Sequence, residues 1–350
     1  MTRPPQVSVV LSVHNGAADL PRAVDTILTQ TFSDFELIAI NNGSTDGTAA
    51  VLDGLRDPRV CVIHQDDMGL AAALNRGIAL ARGRYIARQD HDDWAKPTRL
   101  EKQVAFLEAH PDYALVGTRA EIWVGDERTR RAHDHPTDNA ALHFDLLFDN
   151  PFVHSSMLLR KSALDAVGHY TTDPARQPPE DYELWSRIAR RYMVANLPER
   201  LTIYREVPNS MSRGRSTAYV DRIVMISAEN LAAAVGSSPP GRDHWDIAAL
   251  NHRAFAKLSA NPDIESMCRT VREAGDRILA DGLASELRTR VQRRIDNLRH
   301  AFDIYEEESD PSRHAGVPRS VMTARRLKRK LSSLYDRFAR PRLGRGGLKP

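Results

Sequence analysis

Over its first 125 residues the chain alternates strand and helix signals, and this alternation leaves few folds open to it. Val7-Ser8-Val9-Val10-Leu11-Ser12-Val13 is a β-branched run that stops at a turn signal, His14-Asn15-Gly16. Asp19 stands at an N-cap position with Pro21 in the first turn, and Leu20, Val24, Ile27 and Leu28 follow at helical spacing. Phe35 to Ile40 predicts a second strand, ending at Asn41-Asn42-Gly43-Ser44, where Ser44 or Thr45 caps a helix that runs to Arg56. Val60 to Ile63 predicts a third strand, Gly69 to Ala81 an Ala/Leu-rich helix, and Arg84 to Ala87 a fourth strand. Pro97 opens a helix that ends near His110-Pro111, and Tyr113 to Gly117 reads as a fifth strand. Strands separated by helices predict parallel βαβ units and a doubly wound α/β sheet. The loops at His14-Asn15-Gly16, Asn41-Asn42-Gly43 and Asp90 to Asp93 then share the rim where such sheets bind ligands.

The densest chemistry on that rim is Gln89-Asp90-His91-Asp92-Asp93-Trp94. Neighbouring carboxylates raise the cost of ionising one another. Such a cluster is either a solvated acidic turn or the seat of a cation. Oxygen-only ligands suit Mg²⁺ or Mn²⁺ shared with a phosphate. The first strand is not followed by G-x-G-x-x-G, which argues against a dinucleotide dehydrogenase, and no P-loop sequence occurs.

Residues 125–212 are mixed, with a strand expected at Val153 to Leu159, a helix at Glu180 to Arg191 and a strand at Leu201 to Tyr204. Beyond Ser216 the pattern is helical, broken at Ser237-Ser238-Pro239-Pro240-Gly241 and at Asp310-Pro311-Ser312. Cys61 and Cys268 form neither a disulfide framework nor a zinc spacing, so a reducing compartment is expected. Neither a signal peptide nor an apolar run of roughly 18 residues is visible. The net charge of +3 conceals an asymmetry: residues 319–350 hold eleven Lys/Arg and one acid, Asp336, which leaves the remainder at −7. Val321, Leu327, Leu331, Leu334, Tyr335 and Phe338 interleave with those basic residues, as in an amphipathic helix lying on anionic lipid or packing on its own domain. No nucleic-acid-binding module is visible, and no nucleic-acid partner is expected.

Taken in order, the rim loops, the carboxylate cluster and Pro178-Pro179-Glu180-Asp181-Tyr182-Glu183-Leu184-Trp185 resemble the family-2 glycosyltransferases, inverting enzymes of the GT-A fold. The text from Gly69 to Arg88, Asn150-Pro151-Phe152-Val153-His154-Ser155-Ser156 and Val167-Gly168-His169-Tyr170 fits the same resemblance, which covers roughly residues 5–212. It implies a GT-A domain over 1–212, with a nucleotide-sugar-binding half (1–125) and an acceptor and catalytic-base half (126–212). A helical extension (213–318) and a basic tail (319–350) follow.

The resemblance also implies roles. Asp93 ligates Mn²⁺ or Mg²⁺, and Asp92 contacts the ion or the nucleotide sugar. Asp90 supports them, with a turn cap as its alternative reading. Ser12, His14, Asn15, Asn42, Ser44, Asn75, Arg76 and Arg205 join the donor site. Asp181 is the general base, unless it merely favours its helix N-terminus. His154, Glu180 and Trp185 lie on the acceptor side, a structural histidine and a surface or inter-domain ion pair being the alternatives for His154 and Arg205. Two departures stand out: Asn42 where relatives often carry Asp, which loosens or redirects base selection, and Val207 where many carry a His that helps hold metal or diphosphate. The implied enzyme moves a sugar from a UDP- or dTDP-sugar to a saccharide or lipid-linked hydroxyl in cell-surface polysaccharide or glycolipid assembly. Its expected place is the cytoplasm, docked peripherally on the inner face of the plasma membrane through 319–350. A non-catalytic sugar-nucleotide-binding scaffold and a nucleotidyltransferase are the alternatives.

Overall fold

The computed structural model describes residues 3–206, 216–279 and 284–309, the side chains of 284 and 285 excepted. The first half is built as the alternation predicts: β1 (Val7–Val13), α1 (Leu20–Leu28), β2 (Phe35–Asn42), α2 (Thr48–Asp53), β3 (Val60–Gln65), α3 (Leu70–Leu80) and β4 (Tyr85–Asp90). Then come β5 (Trp94–Ala95), α4 (Arg99–Ala109), β6 (Tyr113–Val124), β7 (Glu127–His133), α5 (Asn139–Leu146), β8 (Leu158–Arg160), α6 (Lys161–Val167), α7 (Glu180–Ala189) and β9 (Met193–Glu206). Four helices follow: α8 (Thr217–Ala234), α9 (Arg242–Asn251), α10 (Ile264–Leu279) and α11 (Ala284–Ser309).

One sheet runs in the order β3-β2-β1-β4-β8-β6-β9-β5, with β7 paired to β6. β1 is parallel to β2 and β4, and β2 is parallel to β3. Every residue of β1 and β2 is buried, as parallel strands covered on both faces must be. Period-2 alternation divides them between two cores. Val9, Leu11 and Leu37 pack with Val24 and Ile27 of α1 and Leu100 and Leu107 of α4. Val10 and Ile38 pack on the other face with Leu74 and Ile78 of α3 and Leu184 and Trp185 of α7. Gly77 lets α3 lie against β1, because a Cβ there would stand 2.5 Å from a Val10 methyl.

Several local expectations change. Ser44 and Thr45 stay in the loop and α2 starts at Thr48, where Asp46 Oδ1 accepts the Thr48 N–H at 2.9 Å. Asp19 stands at the N-cap of α1 without a capping bond, its carboxylate being taken by Arg205. The run expected as a strand at Val153 to Leu159 makes a 3-10 turn at His154–Ser156 first, with Ser156 Oγ bonded to Val153 O at 2.7 Å. The fifth strand extends to Val124 and folds back as β7, whose Glu-Arg-Thr-Arg-Arg-Ala-His carries no apolar alternation to announce it. The described residues up to Arg299 form one compact unit that includes α8 to α10 and the start of α11, and those from His300 belong to a second. Asn230 of α8 fastens its helix to the unit, donating to Leu146 O and Ser186 Oγ at 2.8 Å each. The junction expected at 212/213, Val207 and the basic tail lie outside the described residues.

Candidate active site

The parallel strands β1, β2 and β4 end together, and their register sets the rim: Ser12 lies opposite Asp90, Val13 opposite Asn41, and Asn42 opposite Gln65. The first two loops are latched to each other. His14 Nδ1 bonds Asn42 O at 2.8 Å, Asn15 N–H donates to Ser44 Oγ at 3.0 Å, and Asn15 Oδ1 accepts Thr45 N–H at 2.8 Å. Asn15 takes φ 53°, a left-handed turn that asparagine tolerates. Ser12, His14, Asn15, Asn42 and Ser44 therefore belong to one surface with the carboxylate cluster.

Within the cluster the three aspartates differ. Asp90 bonds the guanidinium of Arg88, itself 2% exposed, at 2.5 Å. Burial opposes ionisation of Asp90, but the Arg88 guanidinium outweighs it and holds the carboxyl below its ordinary range. Asp93 is 2% exposed; its Oδ1 accepts Arg205 N–H at 2.8 Å and its Oδ2 accepts the Ser155 hydroxyl. Burial, then the charges of Asp90 and Asp92, push the Asp93 carboxyl well above the ordinary range. Burial and Asp90 push Asp92 up as well. Arg99, fully buried, lies behind the cluster, bonded to Gln89 Oε1 at 3.0 Å and to Ser155 O.

Arg205 is engaged within the protein. Its Nε donates to Gly125 O at 3.1 Å, its Nη1 pairs with Asp19, and its guanidinium lies 4.7 Å from the Trp94 ring centroid. It buttresses the loop that carries Asp92 and Asp93. Asn75 is likewise engaged in the fold, exchanging bonds with the backbone of Tyr170 at 2.8 and 3.0 Å. Arg76 is exposed and tethered to Gln65 Oε1 at 2.9 Å.

On the other side of β4, α7 begins at Glu180-Asp181. Asp181 Oδ1 accepts the Tyr182 N–H at 2.7 Å and its Oδ2 accepts Asn150 Nδ2 at 2.8 Å. Burial first, then the Glu180 charge, push its carboxyl up to about 7, and Asp90 contributes to the same shift. Asp181 and Asp93 are both tied to the short segment 150–155, through Asn150 and Ser155, and the Asp90 charge acts on both carboxyls. Burial raises Glu180 too. His154 is pushed down to about 3 by burial and by Arg88. As a neutral ring its Nε2 accepts from Tyr170 Oη at 2.8 Å and from Arg88 Nε at 3.3 Å. Trp185 is fully buried, edge-on to His154 and Tyr170, so it supports the cleft floor rather than lining it.

Sequence reasoning missed Arg99, and it gave no role to Arg88, Asn150, Ser155 and Tyr170, which it met only inside longer segments. Arg88 had a signal, a charge amid an otherwise buried parallel strand. The others meet their partners only through long-range folding.

Among the described residues no three His, Cys, Asp or Glu side chains converge as a ready-made metal cage. The donor set still fits a hard divalent ion, since Asp92 and Asp93 are crowded carboxylates whose ionisation is opposed by burial and by the neighbouring carboxylates, which a cation would offset. An ion held by one or two carboxylates completes its shell with substrate phosphates and water.

Comparison with known proteins agrees with this geometry. The profile of "Glycosyl transferase family 2" matches residues 8–168. EpsE of Bacillus subtilis, which carries a provisional glycosyltransferase name, is 33% identical over 235 residues, 65% of this chain and 82% of EpsE. The amylovoran biosynthesis glycosyltransferase AmsE of Erwinia amylovora is 29% identical over 64% of this chain and 85% of its own length. The O-antigen biosynthesis glycosyltransferase WbnJ of Escherichia coli is 30% identical over 61% and 85%. Residues 1–349 of S. aureus TarS, solved with UDP-GlcNAc, share the fold at TM-score 0.57 and 14% identity, over 87% of this chain and 92% of that one. With that fold, that cleft and these relatives, the chain belongs to glycosyltransferase family 2 and is a glycosyltransferase.

Proposed function

We propose that this enzyme is an inverting, metal-dependent transferase that moves a sugar from a nucleotide-diphospho-sugar to an acceptor hydroxyl in cell-surface polysaccharide or glycolipid assembly. The observation that carries the reading is the segment 150–155, which holds Asp181 through Asn150 and Asp93 through Ser155 and so brings the two carboxyls to one region of the rim. Asp181 sits at a helix start with one oxygen tied to Asn150, and a carboxyl pushed up to about 7 is matched to accepting a proton near neutral pH. Asp181 takes the proton of the acceptor hydroxyl as the acceptor oxygen bonds to the anomeric carbon and the C–O bond to the leaving diphosphate breaks on the opposite face. One displacement inverts the configuration. Asp92 and Asp93 would hold Mn²⁺ or Mg²⁺, which as a Lewis acid stabilises charge on the leaving diphosphate. Arg88 and the Asp93–Ser155 and Asp93–Arg205 bonds keep the cluster in place without ligand. The pathway is supported by the likeness to AmsE and WbnJ, glycosyltransferases of amylovoran and O-antigen biosynthesis.

The test is sugar release from a panel of UDP-, dTDP- and GDP-sugars with Mn²⁺ or with chelator, for wild type and Asp93→Ala. The anomeric configuration of any product is read by proton NMR. Metal-dependent release with inversion, lost in Asp93→Ala, is expected. Release that ignores chelator, or retained configuration, contradicts the proposal.

A further inference from the structure

Beyond the carboxylate cluster the rim is organised around Asn42, which is 3% exposed. Both ends of its amide are engaged: Oδ1 accepts from Gln65 Nε2 at 2.7 Å and from Met68 N–H at 3.1 Å, and Nδ2 donates to Asp67 Oδ1 at 2.9 Å. Those partners fix which way the amide points. A ligand arriving here meets the residue that Asn42 holds. Asp67 is exposed, its Oδ1 also accepts Gly69 N–H at 3.0 Å, and its Oδ2 has no partner among the described residues. The close approach is built into the backbone. Gly43 has φ +70°, and a Cβ there would lie 2.4 Å from Asp67 N. Gln65 ties in one more group, since its Oε1 accepts from Arg76, whose exposed guanidinium keeps further donors.

The direction of a bound donor follows from the strand order. Asp181 is held by Asn150, on the segment leading into β8, and the carboxylate pair follows β4. With the sugar at Asp181 and the diphosphate at Asp92–Asp93, the nucleoside is left to run along β1 and β2, toward Asn42 and Asp67.

We infer that Asp67, not Asn42, is the carboxylate that reads the nucleobase, and that it selects uracil or thymine; this rests on the nucleotide-sugar reading above. A carboxylate only accepts hydrogen bonds. With Oδ1 occupied by two donors, one open oxygen remains, which matches the single ring imide N–H of uracil or thymine. Cytosine presents a lone pair at that ring position and is repelled. Guanine presents two adjacent N–H groups, which call for both oxygens. Arg76 supplies donors to a carbonyl beside the imide. Asn42 is the positioning residue for Asp67. Asn42→Asp would set a second carboxylate against Asp67 and open the clamp.

Calorimetric titration of UDP, CDP and GDP with Mn²⁺ on the full chain tests this, in wild type, Asp67→Asn and Asn42→Asp, with thermal melts alongside. Wild type is expected to prefer UDP. Asp67→Asn is expected to weaken UDP by roughly tenfold or more, the scale of a lost charged hydrogen bond. It should also raise CDP relative to UDP, because an amide N–H can face the cytosine ring nitrogen. Asn42→Asp is expected to weaken UDP. An unchanged UDP-to-CDP ratio in Asp67→Asn, a tighter UDP in Asn42→Asp, or a wild-type preference for GDP overturns the assignment while leaving the nucleotide site standing. If wild type binds none of the three, the nucleotide-sugar reading fails and this inference falls with it.

Discussion

Asp181 is subject to opposed influences. Burial and Glu180 favour its protonated form, while the bonds from Tyr182 N–H and Asn150 Nδ2 favour the carboxylate. A base works only when ionised, and this one is pushed up to about 7. The fraction of enzyme with a working base therefore grows as pH rises through that value. kcat/KM should climb about tenfold per pH unit on the acid side and level off above neutrality. Asn150→Ala removes a donor to the charged form, so the midpoint should move to higher pH and turnover should fall. A profile identical to wild type would place Asn150 outside the mechanism. The family resemblance singled out Asp181, since a Glu-Asp pair opening a helix would by itself suggest only a favourable charge at the helix N-terminus. Asn150 is 31 residues away, and nothing local indicates that its amide meets that carboxylate. Asn42 teaches the reverse. Its position on the rim was legible, but the use of its amide as a clamp on Asp67 depends on how two loops meet.

At the scale of elements, the βαβ half was legible to within a few residues because β1 and β2 open on largely apolar runs and α1 shows a 3.6-residue stripe. Between Val124 and Glu206 only α7 and the Leu201 to Tyr204 part of β9 were legible. β7 is a charged edge strand, α6 is 7 residues long, and β9 runs through Pro198 and two charged residues before its apolar end. Their place is set by pairing with β6 and by side-chain bonds rather than by periodicity. α5 had a signal that went unread: Asp138 precedes it and its Oδ1 accepts Ala141 N–H at 2.9 Å. Asp138→Ala should cost about 1 kcal/mol, the usual scale of a lost N-cap, seen as a lower urea midpoint at unchanged slope. An unchanged midpoint would mean that packing alone holds α5.

The whole molecule combines an acidic body with a basic tail, about which the sequence speaks and the described residues do not. Among those residues no helix is long and apolar enough to cross a membrane. We propose that residues 319–350 dock the enzyme on anionic lipid and bring the cleft to lipid-linked acceptors. Near such a surface each Lys or Arg contributes about 1 kcal/mol, decaying within a Debye length. A chain ending at Pro318 should lose flotation with anionic liposomes yet keep activity on a soluble acceptor analogue. Equal flotation of both forms, or a truncated chain that does not fold, contradicts the docking role.

The account as a whole turns on Asp181 acting as the base in a cleft that binds a nucleotide sugar independently of it. Turnover and calorimetric donor binding, measured on the same preparations of wild type and Asp181→Asn with Mn²⁺, test that directly. The account predicts nearly unchanged nucleotide affinity and a turnover lower by roughly 10²-fold or more. An Asp181→Asn enzyme that turns over at the wild-type rate would contradict it.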